Sequence, residues 1–458
     1  LEAERPILFV PAQLREQTKN YVIPAMRKHW KLHPQLRVIG YSELSLAKNA
    51  RMLEEINPDL IILDECHACK NKSAGRTKRL VRWFREHPET ICVAMSGTVS
   101  RRSLRDFAHI IEWCLKARAP LPNKWTELSE WADALDEKVP DEQRIDPGVL
   151  MELCDEGENA RQGFQRRLTE TPGVVATKTS ELGTSLRVSK FEGLQIPDKV
   201  IIAMDKMRRT WETPNGDIIT EAVDLWRHMR ELALGFYYRW DPPAPKDWIK
   251  ARRAWKQYVR ETLKHNRRGL DTELQVWNEC EREKTELVEW SVWREIKDTF
   301  KPNTVAEWLD KFALHVVWVW SKEQDAGIIW IEHRAFGQQL DRDLGVPYFG
   351  AGDNSILDTD TRVIAASIAA HSTGKNLQRF SRNLVVAPMT SGQAWEQLLG
   401  RTHREGQEAD EVTCEVFLHC EELQASFAQA RADARYLEDT FGNRQKLNYA
   451  DMVGMEGI

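Results

Sequence analysis

Two stretches of the chain gather side chains that could handle a polyphosphate. The first is Asp64-Glu65-Cys66-His67, directly after the apolar run Leu60-Ile61-Ile62-Leu63. Hydrolysing a nucleotide needs one carboxylate to hold Mg²⁺, usually through water, and a second group to orient the attacking water. Asp64 and Glu65 suit those two roles. The second stretch is Gln397-Leu398-Leu399-Gly400-Arg401-Thr402-His403-Arg404-Glu405-Gly406-Gln407. On a helix, Arg401 and Arg404 stand three residues apart and share one face, where two guanidinium groups can neutralise charge on a transferring phosphoryl group. Acidic pairs after strands and basic helix faces are also common as plain solvated surface, so the weight falls on what surrounds them.

The surroundings are ordered. The acidic pair trails into Ala68-Cys69-Lys70-Asn71-Lys72-Ser73, and one strand later the run Ile91 to Met95 leads into Ser96-Gly97-Thr98. Before them, Ile7-Leu8-Phe9-Val10 leads into Pro11-Ala12-Gln13. Far downstream, Val363 to Ala370 leads into Ser372-Thr373-Gly374-Lys375-Asn376-Leu377-Gln378. In this order the segments resemble motifs Ia, II, III, V and VI of superfamily two helicases, above all the Swi/Snf-like branch, with Gly327 to His333 in the position of motif IV. The last segment is similar to the pattern Gln-x-x-Gly-Arg-x-x-Arg-x-Gly-Gln at every defined position, whereas Lys375 stands where that branch usually has an apolar residue. The stretch Glu231 to Trp240, with its Gly-Phe-Tyr-Tyr core, resembles the helical region of phage-encoded helicases of this branch.

The resemblance implies an α/β fold of two RecA-like parallel-sheet domains with a large helical insert. It implies an ATP hydrolase working as a helicase or double-stranded DNA translocase, with ATP held between the two domains and nucleic acid, DNA rather than RNA, as partner. By the same resemblance Asp64, Glu65, Arg401 and Arg404 are catalytic, with Asp64 holding Mg²⁺ through water. His67, Ser96, Gly97, Thr98, Gln397 and Gly400 would sense the nucleotide and couple it to movement, and Pro11, Gln13, Ser372, Thr373 and Asn376 would lie against nucleic acid. One element of the pattern is not found: no Gly-x-x-x-x-Gly-Lys-Ser/Thr occurs in the 458 residues. In the family that loop precedes motif Ia and cradles the nucleotide phosphates. The chain alone is therefore expected to hydrolyse ATP poorly, with the loop supplied by an upstream segment or a separate chain, or lost; Leu1 in place of Met reads as a fragment or processed product. The alternative from another class is a non-catalytic nucleic-acid-binding subunit with a helicase fold.

The elements that must position these residues are legible as short apolar runs between helix-like stretches, the signature of parallel strands covered on both faces. The runs Pro6 to Val10, Arg37 to Gly40, Leu60 to Leu63 and Ile91 to Met95 predict a first α/β domain over residues 1–118. The runs Gly327 to Ile331, Val346 to Phe349, Val363 to Ala366, Leu384 to Val386 and Val412 to Leu418 predict a second over 311–445, followed by a tail, 446–458. Between them lies a Trp-rich insert, 119–310, broken by three prolines between Asp241 and Pro245. Within it, Lys246 to Lys264 predicts a helix with Trp248, Ala251, Trp255 and Val259 on one stripe and Lys250, Arg252, Arg253, Lys256 and Arg260 elsewhere around it. A Trp stripe at helical spacing predicts core under a solvated basic face; the rival readings are cations on phosphates and Trp248 and Trp255 stacked on bases. Thr304 and Glu307 read as a capping box ahead of a helix bearing Trp308, Phe312 and Val316.

Composition excludes several classes. A net charge of −5 means that any basic binding surface must be local. Eight scattered cysteines do not form the dense framework of a small secreted protein and point to a reducing, cytoplasmic compartment; the resemblance to phage-encoded helicases implies that of a bacterial or phage-infected cell. Cys66, His67 and Cys69 offer half of a zinc site, a third reading in which the chain is a zinc-binding interaction module. No apolar run approaches the ~20 residues that span a bilayer.

Overall fold

The computed structural model describes residues 3–96, 103–122, 124–136, 145–176, 183–216, 219, 222–265, 270, 272–283, 287–301, 303–353, 355–372 and 374–455, apart from the side chains of residues 13, 149 and 265. The chain divides into two units, one made of Leu1–Ala176, Ala244–Lys301 and Asp439–Phe441, the other of Thr177–Pro243, Pro302–Glu438 and Gly442–Ile458.

The first unit is built on four parallel strands, β1 (Pro6–Val10), β2 (Arg37–Gly40), β3 (Leu60–Asp64) and β4 (Ile91–Met95), in the order β2-β1-β3-β4. Continuous apolar sequence produces the central strands β1 and β3, which are covered on both faces: Ile7, Phe9, Ile61 and Leu63 are fully buried, and Leu80 and Trp83 of the helix Gly75–Glu86 and Ile110 and Trp113 of the helix Ala108–Leu115 pack in the same core. Each such side chain contributes about 1.5–3 kcal/mol on burial. Parallel pairing puts the C-terminal ends of all four strands along one edge, where ligands bind in open α/β sheets. The helices Lys246–His265, Glu273–Glu283 and Val288–Ile296 belong to this unit and share a small core of Trp255, Val259, Val276, Cys280 and Trp290.

The second unit carries seven parallel strands. These are β5 (Ser185–Lys190), β8 (Gly327–Ile331), β9 (Tyr348–Phe349), β10 (Val363–Ser367), β11 (Arg382–Val385), β12 (Glu411–Val416) and β13 (Asp451–Val453), and β6 (Phe236–Trp240) pairs antiparallel with β7 (Thr304–Trp308) beside them. The order in the large sheet is β13-β5-β12-β11-β8-β10-β9. Alternation along β8 sends Ile329 and Ile331 to one face, against Leu314, Val317, Phe336 and Leu340, and Ile328 and Trp330 to the other, against Trp395, Leu398 and Leu399.

Four expectations change. Thr304 to Glu307 is not a helix start: the segment is β7, in register with β6 from Thr304–Trp240 to Trp308–Phe236, and the helix begins at Phe312. Gly235, just ahead of β6, takes φ +89° and packs against the chain leaving β7, where a Cβ would sit 2.2 Å from the Asp310 carbonyl oxygen. The chain division does not follow breaks at 118, 310 and 445, since β5, β6 and β7 fall in the second unit while 244–301 returns to the first. Residues 446–458 are more than a tail, because β13 pairs with β5 through Met452 and Val188. Several strands also differ by a residue or more from the apolar runs, β9 being Tyr348–Phe349 alone.

Candidate functional site

In the first unit, β3 ends at Asp64, and Glu65 turns the chain with φ 51° and ψ 53° into the short helix Cys66–Cys69. The left-handed region costs a residue with a Cβ about 1–2 kcal/mol, and such positions cluster at functional sites. The turn carries Glu65 toward the end of β4. There the Ser96 hydroxyl donates to Glu65 Oε2 at 3.3 Å, His67 Nδ1 lies 3.2 Å from Ser96 Oγ, and the same nitrogen lies 3.2 Å from Glu65 Oε2. Three expected residues from two adjacent strand ends thus form one triangle. Asp64 is half-buried; burial, then the neighbouring Glu65 charge, push its carboxyl above the usual carboxylate range. Two adjoining carboxylates at a strand end fit a hydrated divalent cation, which needs only one or two protein oxygens.

A group that motif reading does not single out supports this edge. The buried Tyr41 hydroxyl, just past β2, donates to the Asp64 carbonyl at 2.9 Å, and its ring stacks on Phe9 at 5.9 Å. Only the parallel register of β2, β1 and β3 brings Tyr41 there, and no sequence spacing signals it. At the end of β1 the Pro11 carbonyl accepts the Leu14 N–H at 2.9 Å. Beside it opens a cleft of about 390 Å³ bounded by Ala12, Arg15, Gly40, Ser42 and Lys48. The side chain of Gln13 and residues Gly97 and Thr98 lie outside the described residues.

The zinc reading fails on direction. Cys66 and Cys69 point into the core while His67 faces Ser96, and burial pushes both thiols up, that of Cys69 to about 12. Zinc takes thiolates. Among the described residues no group of three or more His, Cys, Asp or Glu side chains is placed to hold a metal directly.

In the second unit the helix Gly392–Thr402 carries Gln397, Gly400 and Arg401. Arg401 Nε donates to the Gln397 carbonyl at 2.9 Å and Nη1 to the Lys375 carbonyl at 3.1 Å, while the Arg401 carbonyl accepts the Leu377 N–H at 3.2 Å. Arg404 Nη1 donates to the Asn376 side-chain oxygen. The Gln407 amide donates to the Phe380 and Thr402 carbonyls. The segment 375–380 and the arginine helix therefore form one body, with Asn376, Arg401 and Arg404 together. Ser372 is not at this surface: it is buried, its N–H bonded to the Ile368 carbonyl at 3.1 Å. Lys375 is buried as well, its ammonium donating to the Asp353 carbonyl at 3.3 Å, so a cation fills an apolar position by reaching a loop carbonyl. A Cβ at Gly400 would meet Lys446 Cε at an ordinary 3.9 Å, so packing inside the unit does not require glycine there. Thr373 lies outside the described residues.

No protein-family model matches the chain, and no curated protein does. Among solved structures the chain is similar to the Mycobacterium smegmatis helicase Lhr bound to ssDNA and AMP-PNP, at 9% identity and a TM-score of 0.39, over 96% of this chain and 43% of that one. The chain thus spans less than half the length of that helicase, and a likeness of this degree assigns no function. Among the described residues no helix is long and apolar enough to cross a membrane.

Proposed function

We propose that this chain is a nucleic-acid-dependent ATP hydrolase of superfamily two type, a helicase or double-stranded DNA translocase. The observation that carries the reading is the Glu65–His67–Ser96 triangle, which joins the end of the strand bearing the acidic pair to the end of its neighbour. Two adjoining strands whose ends share hydrogen bonds through one carboxylate form a natural relay between water positioning and movement. Glu65 would orient the attacking water and Asp64 would hold hydrated Mg²⁺, which supplies charge neutralisation at the phosphate oxygens when bound. Arg404 and Arg401 would donate to the phosphoryl oxygens as negative charge builds, Arg401 with its guanidinium oriented by two main-chain carbonyls.

The test is phosphate release from ATP with and without DNA, by this chain and by a longer form bearing a phosphate-binding loop upstream. DNA-stimulated turnover by the longer form supports the motor reading. Salt-dependent DNA binding with no turnover in either form replaces it with the non-catalytic binding subunit.

A further inference from the structure

The Lys246–His265 helix buries Trp248, Ala251, Trp255 and Val259 against its neighbours. That removes the two tryptophans from any role as stacking platforms and fixes which face is left outside. On the outer face, at successive spacings of four and three residues, stand Lys246, Lys250, Arg253, Gln257, Arg260 and Lys264, all exposed. At 3.6 residues per turn these six fall within an arc of about 80° and along about 27 Å of helix. Lys256, off this line, is paired with Glu273 at 2.5 Å, and Arg252 lies over the Trp248 ring at 5.4 Å. The five cations of the line have no acidic partner at ion-pair distance among the described residues. Of the acids on the helix, Glu261 accepts from Gln257 at 3.0 Å and Asp247 sits in the first turn, toward the flank of the line.

We propose that this stripe is a second nucleic-acid contact, outside the sheet edges, which binds the sugar–phosphate backbone of duplex DNA. The proposal rests on the nucleic-acid-dependent reading above. A single-signed row at regular short spacing repels itself in isolation and suits a polyanion of regular charge, and duplex DNA presents one charge per about 1.7 Å of axis. The chain as a whole is acidic, so this density of unpaired cations is local. Single strands are bound largely by aromatic stacking, and the tryptophans of this helix face inward, which leaves backbone charge as what the surface can read. The stripe is anchored in its own unit: Lys78, on the helix that follows the acidic pair, donates to the Leu263 carbonyl at 2.7 Å in the last turn.

The experiment uses the full chain and a labelled duplex of about 30 base pairs, with binding followed by fluorescence anisotropy across a salt series. The triple variant Lys250→Gln, Arg253→Gln, Arg260→Gln should bind at least about tenfold more weakly, with the slope of log K against log salt smaller by about three, because each lost phosphate contact removes about 0.9. The swap Lys250→Arg, Arg253→Lys, Arg260→Lys should restore both. Unchanged affinity and slope in the glutamine triple overturn the proposal, as does loss of binding to phosphatidylserine vesicles with DNA binding intact. The two readings separate cleanly: stripe-dependent DNA binding without DNA-stimulated ATP turnover in the longer form sinks the motor and spares the surface, while stimulated turnover in the longer form with DNA affinity unchanged in the triple variant does the reverse.

Discussion

The two halves of the candidate chemistry are held in different ways. In the first unit Glu65, His67 and Ser96 are joined side chain to side chain, on a backbone turn of positive φ. In the second unit the arginine helix is tied largely through main-chain carbonyls, Arg401 to Gln397 and Lys375 and Gln407 to Phe380 and Thr402. Side-chain triangles rearrange when one member changes partner or charge, whereas groups fixed by backbone carbonyls are preorganised. The difference teaches a division of labour: a responsive acidic edge and a rigid basic one.

The sharpest way to break that comparison is kinetic. In a form competent to hydrolyse ATP, Arg404→Ala should lower turnover about a thousandfold, the lower end of what an arginine donor to a phosphoryl group contributes, with DNA affinity nearly unchanged. Glu65→Gln should lower turnover to a similar degree while ATP binding persists, measured by phosphate release beside nucleotide titration. A variant that loses DNA binding before turnover at Arg404, or keeps turnover at Glu65, removes that residue from its side of the comparison.

Acid should treat the two units alike. Burial lowers both His109, whose Nε2–H donates to the Cys69 carbonyl, and His419, whose Nε2–H donates to the Ala233 carbonyl, to about 4. Each is depressed below its unfolded value near 6.5, so the unfolded chain takes up the proton first as pH falls. Stability is therefore complete above about 6.5 and lost on the way down to 4, by about 3 kcal/mol for each histidine. Urea unfolding followed by tryptophan fluorescence at pH 7 and at pH 4.5 should show most of that loss, and His109→Gln or His419→Gln should each remove one share. A pH response carried by only one of the two histidines would end the symmetry.

The smallest effect sharpens the account of the acidic edge. Tyr41→Phe removes the bond to the Asp64 carbonyl and should cost about 1 kcal/mol in unfolding, with a decrease in turnover in the competent form greater than that in ATP affinity. Stability loss with unchanged turnover would reduce Tyr41 to a packing residue.

The legible parts of the fold share one cause. β1, β3, β8 and β10 are buried on both faces and so read as unbroken apolar runs, which also located the acidic pair at the end of β3. β5 does not read as an apolar run because Leu186 and Val188 alternate with Ser185 and exposed Arg187, the latter paired with Glu411 and Asp451. β7 reads as a helix start because Thr304 and Glu307 satisfy a local capping pattern, while the register with Phe236 to Trp240 is set some seventy residues away. The Asn376–Arg404 pair and the Tyr41 hydroxyl bond depend on tertiary register in the same manner, so the motifs named the site without its internal wiring.

The position of β5 has a consequence for how the protein is made. Its N-terminal end is bonded to Asp410, 225 residues further along the chain. At a synthesis rate of about 5–20 residues per second, β5 leaves the ribosome roughly eleven to forty-five seconds before β12 exists to pair with it. β13, on its other side, arrives later still. The second sheet therefore cannot close until β12 and β13 emerge, while β1 to β4 lie within about ninety residues of one another and can pair as soon as that stretch is out. A nascent chain arrested before Glu411 would present a folded first sheet and an orphan strand, the state in which a chaperone has most to protect.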